Sequence, residues 1–279
     1  PKTIIHNIRK CVEKSGLIVN EVVITPLALT ESILSDGEKD FGTIVIDIGG
    51  GQTTTAAMHD KQLKFTHVNQ EGGEFVTKDI STVLNTSFNN AEALKINYGD
   101  AYPERTSASE EFPVDVIGKS EPVKIDERYL SEIIEARMEQ IFTKSKEVLD
   151  EIDGLDLPGG VILTGGAASL PGVVDLAQEV FETNVKLYVP NHMGLRNPVF
   201  TNVISIVDYS ANLSEVYQLA KSAITGEKTV AQQPVAIQQQ EVHYEQYEAP
   251  EETYEEAEEE KKGESITNRV KDFFSNIFE

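Results

Sequence analysis

The sequence predicts an α/β fold in which a mixed sheet is covered by helices. Two apolar, β-branched segments end in glycines, at residues 44–51 and 160–166, as buried strands do before a tight turn. Apolar residues recur at helical spacing over 75–84 and 126–150. Strands that alternate with helices indicate the α/β class.

The first glycine segment, from Ile44 to Ala56, reads as a strand, a turn and a second strand. Three consecutive glycines, Gly49–Gly51, permit φ above zero and let backbone N–H groups approach an anion. The dinucleotide-binding G-x-G-x-x-G motif and the P-loop both continue into a helix, whereas residues 53–55 resume a strand. The segment therefore predicts a phosphate-holding turn of another kind, with a tight hairpin that holds no ligand as the alternative.

The second glycine pair, Gly165–Gly166, follows an apolar strand and opens a helix. Apolar residues recur at helical spacing over 173–181. Ser169 or Pro171 is the predicted start of this helix.

The two motifs in this order, strand-Asp-x-Gly-Gly-Gly-x-Thr and then strand-Thr-Gly-Gly-Ala-x-x-x-x-Gly, resemble the second-phosphate and adenosine motifs of the actin, sugar-kinase and chaperone ATPase superfamily. Within it, the chain most resembles the FtsA family of bacterial actin-like cell-division proteins. The matching stretches are 22–28, 47–55, 72–80, 91–96, 135–137, 163–168 and a C-terminal helix.

The resemblance implies an actin-like, ribonuclease H-like ATPase lobe with an inserted subdomain. The expected domains are the end of a first lobe at 1–40, a second lobe at 41–85 and 151–225, a small inserted subdomain at 86–150, a disordered acidic linker at 226–264 and an amphipathic helix at 265–279.

The resemblance also implies ATP and Mg²⁺ as cofactors. Asp47 would orient water around the Mg²⁺, a cation that keeps part of its hydration shell; a strand-end Asp that accepts from turn amides is the alternative. Glu92 resembles the carboxylate that relatives aim at the ribose hydroxyls, although Glu92 and Lys95 also fit a solvated helix face. The expected nucleotide-site residues are Asp47, Gly49, Gly50, Gly51, Gln52, Thr53, Gly72, Gly73, Glu92, Lys95, Gly165, Gly166 and Ala167.

The first lobe of the superfamily should contribute an Asp-x-Gly strand-turn-strand, and none precedes Asp47. The chain instead begins at Pro1 with a helical pattern, so it is expected to be the distal part of a longer protein with an incomplete ATP site. The resemblance implies at most weak ATPase activity, and this chain alone is expected to be inactive. No nucleophilic triad or metal cage emerges. Cys11 lies on an apolar helical stripe with Ile4 and Ile8, which predicts a core role.

Composition limits the partners and the compartment. The formal net charge of −23 argues against nucleic acid, whose phosphates need a basic surface. A single cysteine excludes an internal disulfide framework and suits a reducing compartment. Residues 226–264 are rich in Gln and Glu and cannot bury enough apolar surface to offset the entropy of ordering, which predicts a disordered tether.

The last fifteen residues predict an amphipathic helix with Ser265 as its cap. An apolar stripe on the end of a tether is typical of a helix that lies in a membrane interface; docking on the globular body is the alternative. The expected membrane-binding residues are Ile266, Val270, Phe273, Phe274, Ile277 and Phe278.

The resemblance further implies that the inserted subdomain holds the acidic C-terminal tail of the tubulin-like division protein FtsZ. Arg137 matches the arginine of the family's Glu-x-Arg element, and Lys124 and Arg128 lie near it in sequence. A guanidinium suits a carboxylate-bearing peptide. Ordinary helix-surface pairing of Arg137 with Glu132 and Glu135 is the alternative.

These features predict a cytoskeletal adaptor that binds ATP, self-associates into actin-like filaments and tethers FtsZ to the cytoplasmic face of the bacterial membrane at the division site. A sugar or acid kinase of the same fold is the main alternative, but it gives no reason for the terminal helix. A DnaK-type chaperone fragment would continue into a β-rich domain where this chain is acidic and polar.

Overall fold

The computed structural model describes residues 2–19 and 21–213. Within these ranges the α-helices are α1 (Lys2–Lys14), α2 (Thr25–Ile33), α3 (Asp36–Phe41), α4 (Gly73–Val83), α5 (Phe88–Tyr98), α6 (Glu127–Asp150), α7 (Val173–Phe181) and α8 (Thr201–Ala211). The strands are β1 (Thr43–Ile48), β2 (Thr53–His59), β3 (Gln62–Asn69), β4 (Glu111–Val114), β5 (Val123–Asp126), β6 (Val161–Thr164) and β7 (Val185–Leu187).

Five of the strands form one mixed sheet in the order β3-β2-β1-β6-β7. β2 pairs antiparallel with both β1 and β3, whereas β6 pairs in parallel with both β1 and β7. The predicted α/β class with a mixed sheet is confirmed. The parallel arrangement matters for the site, because the ends of β1 and β6 that precede the two glycine segments lie side by side.

The sheet is buried on both faces. The three isoleucines of β1 pack among residues of α4, α6 and α7 on one face, while Val45 packs with Leu29 of α2 on the other. A strand that is covered on both sides needs apolar residues at nearly every position. Asp47 interrupts this run and, because side chains alternate along a strand, it shares the face of Val45.

Helix α6 joins the sheet to the smaller sheet formed by β4 and β5. Asp126 caps α6 by accepting a hydrogen bond from the N–H of Tyr129 at 2.8 Å. Strand β4 ends at Val114. Phe112 and Leu130 belong to the same apolar cluster as the central sheet, so the segment 86–150 packs on the main core. Its status as a separate subdomain stays a prediction.

Helix α1 forms where the sequence predicts it, but it buries no residue. Cys11 is exposed and Ile8 is 60% exposed, so the predicted core role of Cys11 is wrong within the described residues. An apolar stripe shows that one helix face favours burial, but it does not show what covers that face.

Candidate functional site

A tight turn, Gly49–Gln52, joins β1 to β2, and the N–H of Gly49 donates to the carbonyl oxygen of Gln52 at 2.9 Å. None of its three glycines has a positive φ, so the turn does not use the φ above zero that glycine permits. A Cβ on Gly51 would meet no atom within 4 Å. The N–H groups of Gly50, Gly51 and Gln52 have no acceptor among the described residues, which leaves a run of open donors.

The loop before α4 lies directly on this turn. The N–H of Gly73 donates to the carbonyl oxygen of Gly49, and the N–H of Glu74 donates to that of Gly50, both at 2.9 Å. A Cβ on Gly72 would lie 2.6 Å from the carbonyl oxygen of Gly50 and would clash with that of Gly49. Backbone contact this close admits only glycine at position 72. The turn at 49–52 and the glycine pair at 72–73 therefore form one continuous surface.

The second glycine pair reaches the same place through the parallel sheet. β6 pairs Thr164 with Asp47, so Gly165 follows beside the end of β1. Gly165 has a φ of 95°, and a Cβ there would clash with Oδ1 of Asp47. A Cβ on Gly73 would lie 3.1 Å from the methyl carbon of Ala167. Three segments that are far apart in sequence thus meet at the end of β1, where Asp47 lies.

Asp47 is the buried acid at this meeting point, with 8% of its surface exposed. Its Oδ2 accepts a hydrogen bond from Nδ2 of Asn202 at 2.8 Å, whereas its Oδ1 has no partner among the described residues. Burial raises the pKa of Asp47, and the hydrogen bond from Asn202 opposes that shift. A buried carboxylate oxygen without a donor carries a desolvation cost that a bound ligand or water would relieve.

The helix after the second glycine pair begins later than predicted. Residues Ala167–Ser169 form a single 3₁₀ turn, and α7 begins at Val173, after both Ser169 and Pro171. Gly172 precedes it with a φ of 74°, and a Cβ there would lie 2.7 Å from that of Tyr102. The chain therefore makes two tight turns between β6 and α7 rather than entering a helix directly.

Lys95 does not lie on a solvated helix face, so that alternative is wrong for it. Only 8% of its surface is exposed. Its Nζ donates to the carbonyl oxygen of Gly73 at 3.0 Å and to Oγ1 of Thr77 at 2.7 Å, and it lies 2.7 Å from Oε2 of Glu92. The hydroxyl of Thr77 also bonds Glu92. An ammonium group with three internal acceptors fixes the first turn of α4 against α5.

Arg137, on α6, forms a bidentate pair with Asp79 of α4. Its Nε donates to Oδ2 at 2.5 Å and its Nη2 donates to Oδ1 at 3.1 Å. Its Nη1 donates to Oε1 of Gln140 at 2.7 Å and lies 3.7 Å from Oε2 of Glu71, and the guanidinium lies 5.8 Å from the ring centroid of Phe75. The hydrogen bond with Asp79 raises the pKa of Arg137. The donors expected to hold an acidic partner are thus already engaged within the chain.

Lys124 and Arg128 do not join Arg137 in one patch. Arg128 and Arg137 are nine residues apart on one continuous helix, which separates them by about 13.5 Å along its axis and about 180° around it. Arg128 pairs with Glu132 at 3.6 Å and Lys124 with Glu111 at 3.1 Å. Arg137 itself pairs with Asp79, Gln140 and Glu71, so the alternative in which it pairs with Glu132 and Glu135 is wrong.

Sequence reasoning missed the residues that hold the predicted ones in place. Asn202 lies at the start of α8 with no motif around it, and only the fold brings it to Asp47. Glu71 bonds Lys144 of α6 at 2.5 Å, and its backbone carbonyl accepts from the hydroxyl of Thr53 at 2.8 Å. The sole available signal was that Glu71 adjoins the glycine pair at 72–73.

The acidic linker at 226–264 and the six expected membrane-binding residues within 265–279 lie outside the described residues. Inside the described ranges, no helix is both long and apolar enough to cross a bilayer. The same ranges contain no group of three or more His, Cys, Asp or Glu side chains placed to ligate a metal directly.

Comparison with known proteins identifies the family. A family model described as "Cell division protein FtsA" matches residues 44–205, and one described as "Cell division protein FtsA, C-terminal" matches residues 216–279. The chain belongs to the FtsA family. It is 78% identical, over all of its 279 residues, to the cell division protein FtsA of Enterococcus faecalis, and it spans 63% of that relative's length.

Solved structures confirm the actin-like fold expected for the family. MreB5 of Spiroplasma citri, in a crystal structure bound to ADP, superposes with a TM-score of 0.61 at 15% identity, over 80% of this chain and 67% of that one. A MamK double helical filament superposes with a TM-score of 0.54 at 17% identity, over 69% of this chain and 60% of that one.

Two substitutions separate crowded from open glycine positions in the site. Gly72→Ala pushes a methyl group into two carbonyl oxygens and is expected to cost about 1–3 kcal/mol of unfolding free energy. Gly51→Ala enters open space at a negative φ and is expected to leave stability within about 0.5 kcal/mol of the parent. Urea denaturation measures both. Equal losses in the two variants would contradict the described geometry.

The buried Asp47 predicts a specific dependence of stability on pH. Because its folded pKa is raised, the ionised carboxylate destabilises the fold at neutral pH, and the cost disappears as acid protonates it. Asp47→Asn is therefore expected to raise the thermal midpoint at pH 7, by a margin that shrinks as the pH falls through the pKa of Asp47. Calorimetry across that range tests this, with Glu121→Gln, at an exposed position, as the control. A margin that does not change with pH would contradict it.

Proposed function

We propose that this chain forms part of a cytoskeletal cell-division adaptor that binds ATP, self-associates into actin-like filaments and tethers FtsZ filaments to the cytoplasmic face of the membrane at the division site. Membership of the FtsA family supports the division role. The nucleotide role depends on one observation, the meeting of three glycine segments around the buried Asp47.

The open turn suits a phosphate group. The donors that have no acceptor among the described residues, Gly50, Gly51 and Gln52, lie on consecutive residues, and successive backbone N–H groups form anion-binding concavities. Thr53 adjoins them, and Gly165, Gly166 and Ala167 complete the wall beside Asp47. The ADP-bound relative of the same fold supports a nucleotide as the ligand.

The residues present also fit a hydrated Mg²⁺. Asp47 offers one carboxylate oxygen without a protein donor among the described residues, and Mg²⁺ is commonly held by one or two carboxylates and several waters. When bound, the ion would neutralise phosphate charge. Asp47 would then hold its water shell, while Lys95 and Glu92 position the first turn of α4 and, through it, the N–H of Gly73.

The acidic tail of FtsZ is proposed to bind at α6 with Arg137 as its main cation. Asp79 already occupies the two donors that a partner carboxylate would use, so Asp79 and the tail compete for one guanidinium. Lys124 and Arg128 lie elsewhere on the surface, where they would contribute to general attraction of an acidic chain rather than to a shared pocket.

Membrane attachment is proposed to depend on association between copies. Six apolar side chains contribute about 1.5–3 kcal/mol each when fully buried, but partial burial in the interface and the entropy of helix formation leave little surplus. Linking many copies raises apparent affinity by about 10² to 10⁴. The filament described for MamK, which has the same fold, supports self-association as the source of these copies.

A co-flotation experiment tests both halves of the adaptor together. The chain is mixed with anionic liposomes and a fluorescent peptide of the acidic FtsZ tail, and fluorescence is measured in the floating fraction. The peptide is expected to float only with the chain. Removing residues 265–279 should abolish flotation of the peptide while its binding in solution persists. The Arg137→Gln chain should still float, but little peptide should float with it.

Asp79→Asn is the matched variant that separates binding from structural support. If Arg137 binds the tail, freeing it from Asp79 should increase the peptide that floats. If Arg137 only holds α4 to α6, then Asp79→Asn and Arg137→Gln should lower peptide binding alike, which would contradict the partner assignment. A peptide that never floats with the chain would contradict the proposed tethering of FtsZ.

A further inference from the structure

Within the described residues, the side-chain amide of Asn202 is the hydrogen-bond donor to the Asp47 carboxylate. Its Nδ2 donates to Oδ2 of Asp47 at 2.8 Å across 155 positions of sequence. Asn202 is half-buried, and neither residue makes another side-chain hydrogen bond there. The orientation of the carboxylate therefore depends on this one amide.

The first turn of α8 holds Asn202 in a defined position. The hydroxyl of Thr201 accepts from that of Thr164 at 2.8 Å, and both residues are buried. Thr164 is the residue that pairs with Asp47 across the parallel strands. Further along the helix, Asp208 accepts a hydrogen bond from Ser32 of α2 at 3.0 Å. The donor to Asp47 is thus fixed by the sheet at one end and by α2 at the other.

Three buried oxygen atoms, one on β1 and two on α8, have no partner among the described residues. They are Oδ1 of Asp47, Oδ1 of Asn202 and Oγ of Ser205. Asn202 and Ser205 are three residues apart and so share one face of α8. Buried polar atoms are nearly always hydrogen-bonded, to protein or to ordered water. Three such atoms on the two elements that flank the site indicate a polar ligand shell.

We propose that Asn202 is a positioning residue of the nucleotide site, which engages Oδ2 of Asp47 so that Oδ1 remains available to the water shell of a divalent cation. This inference rests on the proposed nucleotide function. Asn202 acts through Asp47 and contacts neither the nucleotide nor the metal.

The test compares the affinity of the full chain for ADP with and without Mg²⁺ by titration calorimetry. In Asn202→Ala, the enhancement of affinity by Mg²⁺ is expected to fall about ten-fold or more, the range typical of residues that orient a metal ligand. Affinity for ADP without Mg²⁺ should change less than about two-fold on the same reasoning. The isosteric Asn202→Asp should show the same loss, because it replaces the donor with an acceptor.

Val203→Ala is the matched control, since Val203 is the next residue of α8 and is 64% exposed. A purely structural role for Asn202 would lower affinity equally with and without Mg²⁺, and this result would overturn the proposal, as would an unchanged Mg²⁺ enhancement. If the parent chain binds ADP under neither condition, the proposed nucleotide function itself fails and this inference falls with it.

A measurement on the unsubstituted chain tests the same proposal and does not require any variant to fold. The side-chain amide signals of Asn202 in a ¹⁵N spectrum are expected to shift when Mg²⁺ is added to the ADP-saturated chain, and to shift little with ADP alone. Signals that are insensitive to Mg²⁺ would overturn the proposal.

Discussion

The contact between two backbone turns is the constraint on which the site depends. The N–H groups that begin α4 donate to the carbonyl oxygens of Gly49 and Gly50, and position 72 has no room for a side chain. This contact uses the acceptors of the first turn and leaves its donors open. The same contact places Gly73, at the start of α4, close to Ala167. The second glycine pair therefore lies beside the same turn.

Helix α4 connects this turn with the candidate partner surface. Its first turn is held by Lys95, and Asp79, farther along, pairs with Arg137 of α6. Glu71, just before the helix, bonds Lys144 on α6 through its side chain and Thr53 through its carbonyl. Helix α4 therefore contacts the candidate nucleotide-binding turn at one end and the arginine proposed to bind an acidic tail at the other.

The sequence was sufficient for what local patterns encode, namely the fold class, the strand-turn-strand at 44–56, α6 and the positions of both glycine segments. It failed where a distant contact decides. The sequence left open whether Lys95 is a site residue or a solvated one, because two of its acceptors, Gly73 and Thr77, lie on another helix. Asn202 had no motif because its role exists only once α8 lies beside β1. The apolar stripe that contains Cys11 indicates that one face of α1 is apolar, but it does not show whether another element covers that face.

Amide hydrogen exchange with and without Mg²⁺-ADP tests the central claim most directly. The donors of residues 50–52 have no acceptor among the described residues, so they should exchange rapidly in the free chain and slow strongly at saturating nucleotide, together with residues 165–167. Exchange that stays unchanged at both glycine segments, or protection confined to other parts of the chain, would contradict the account.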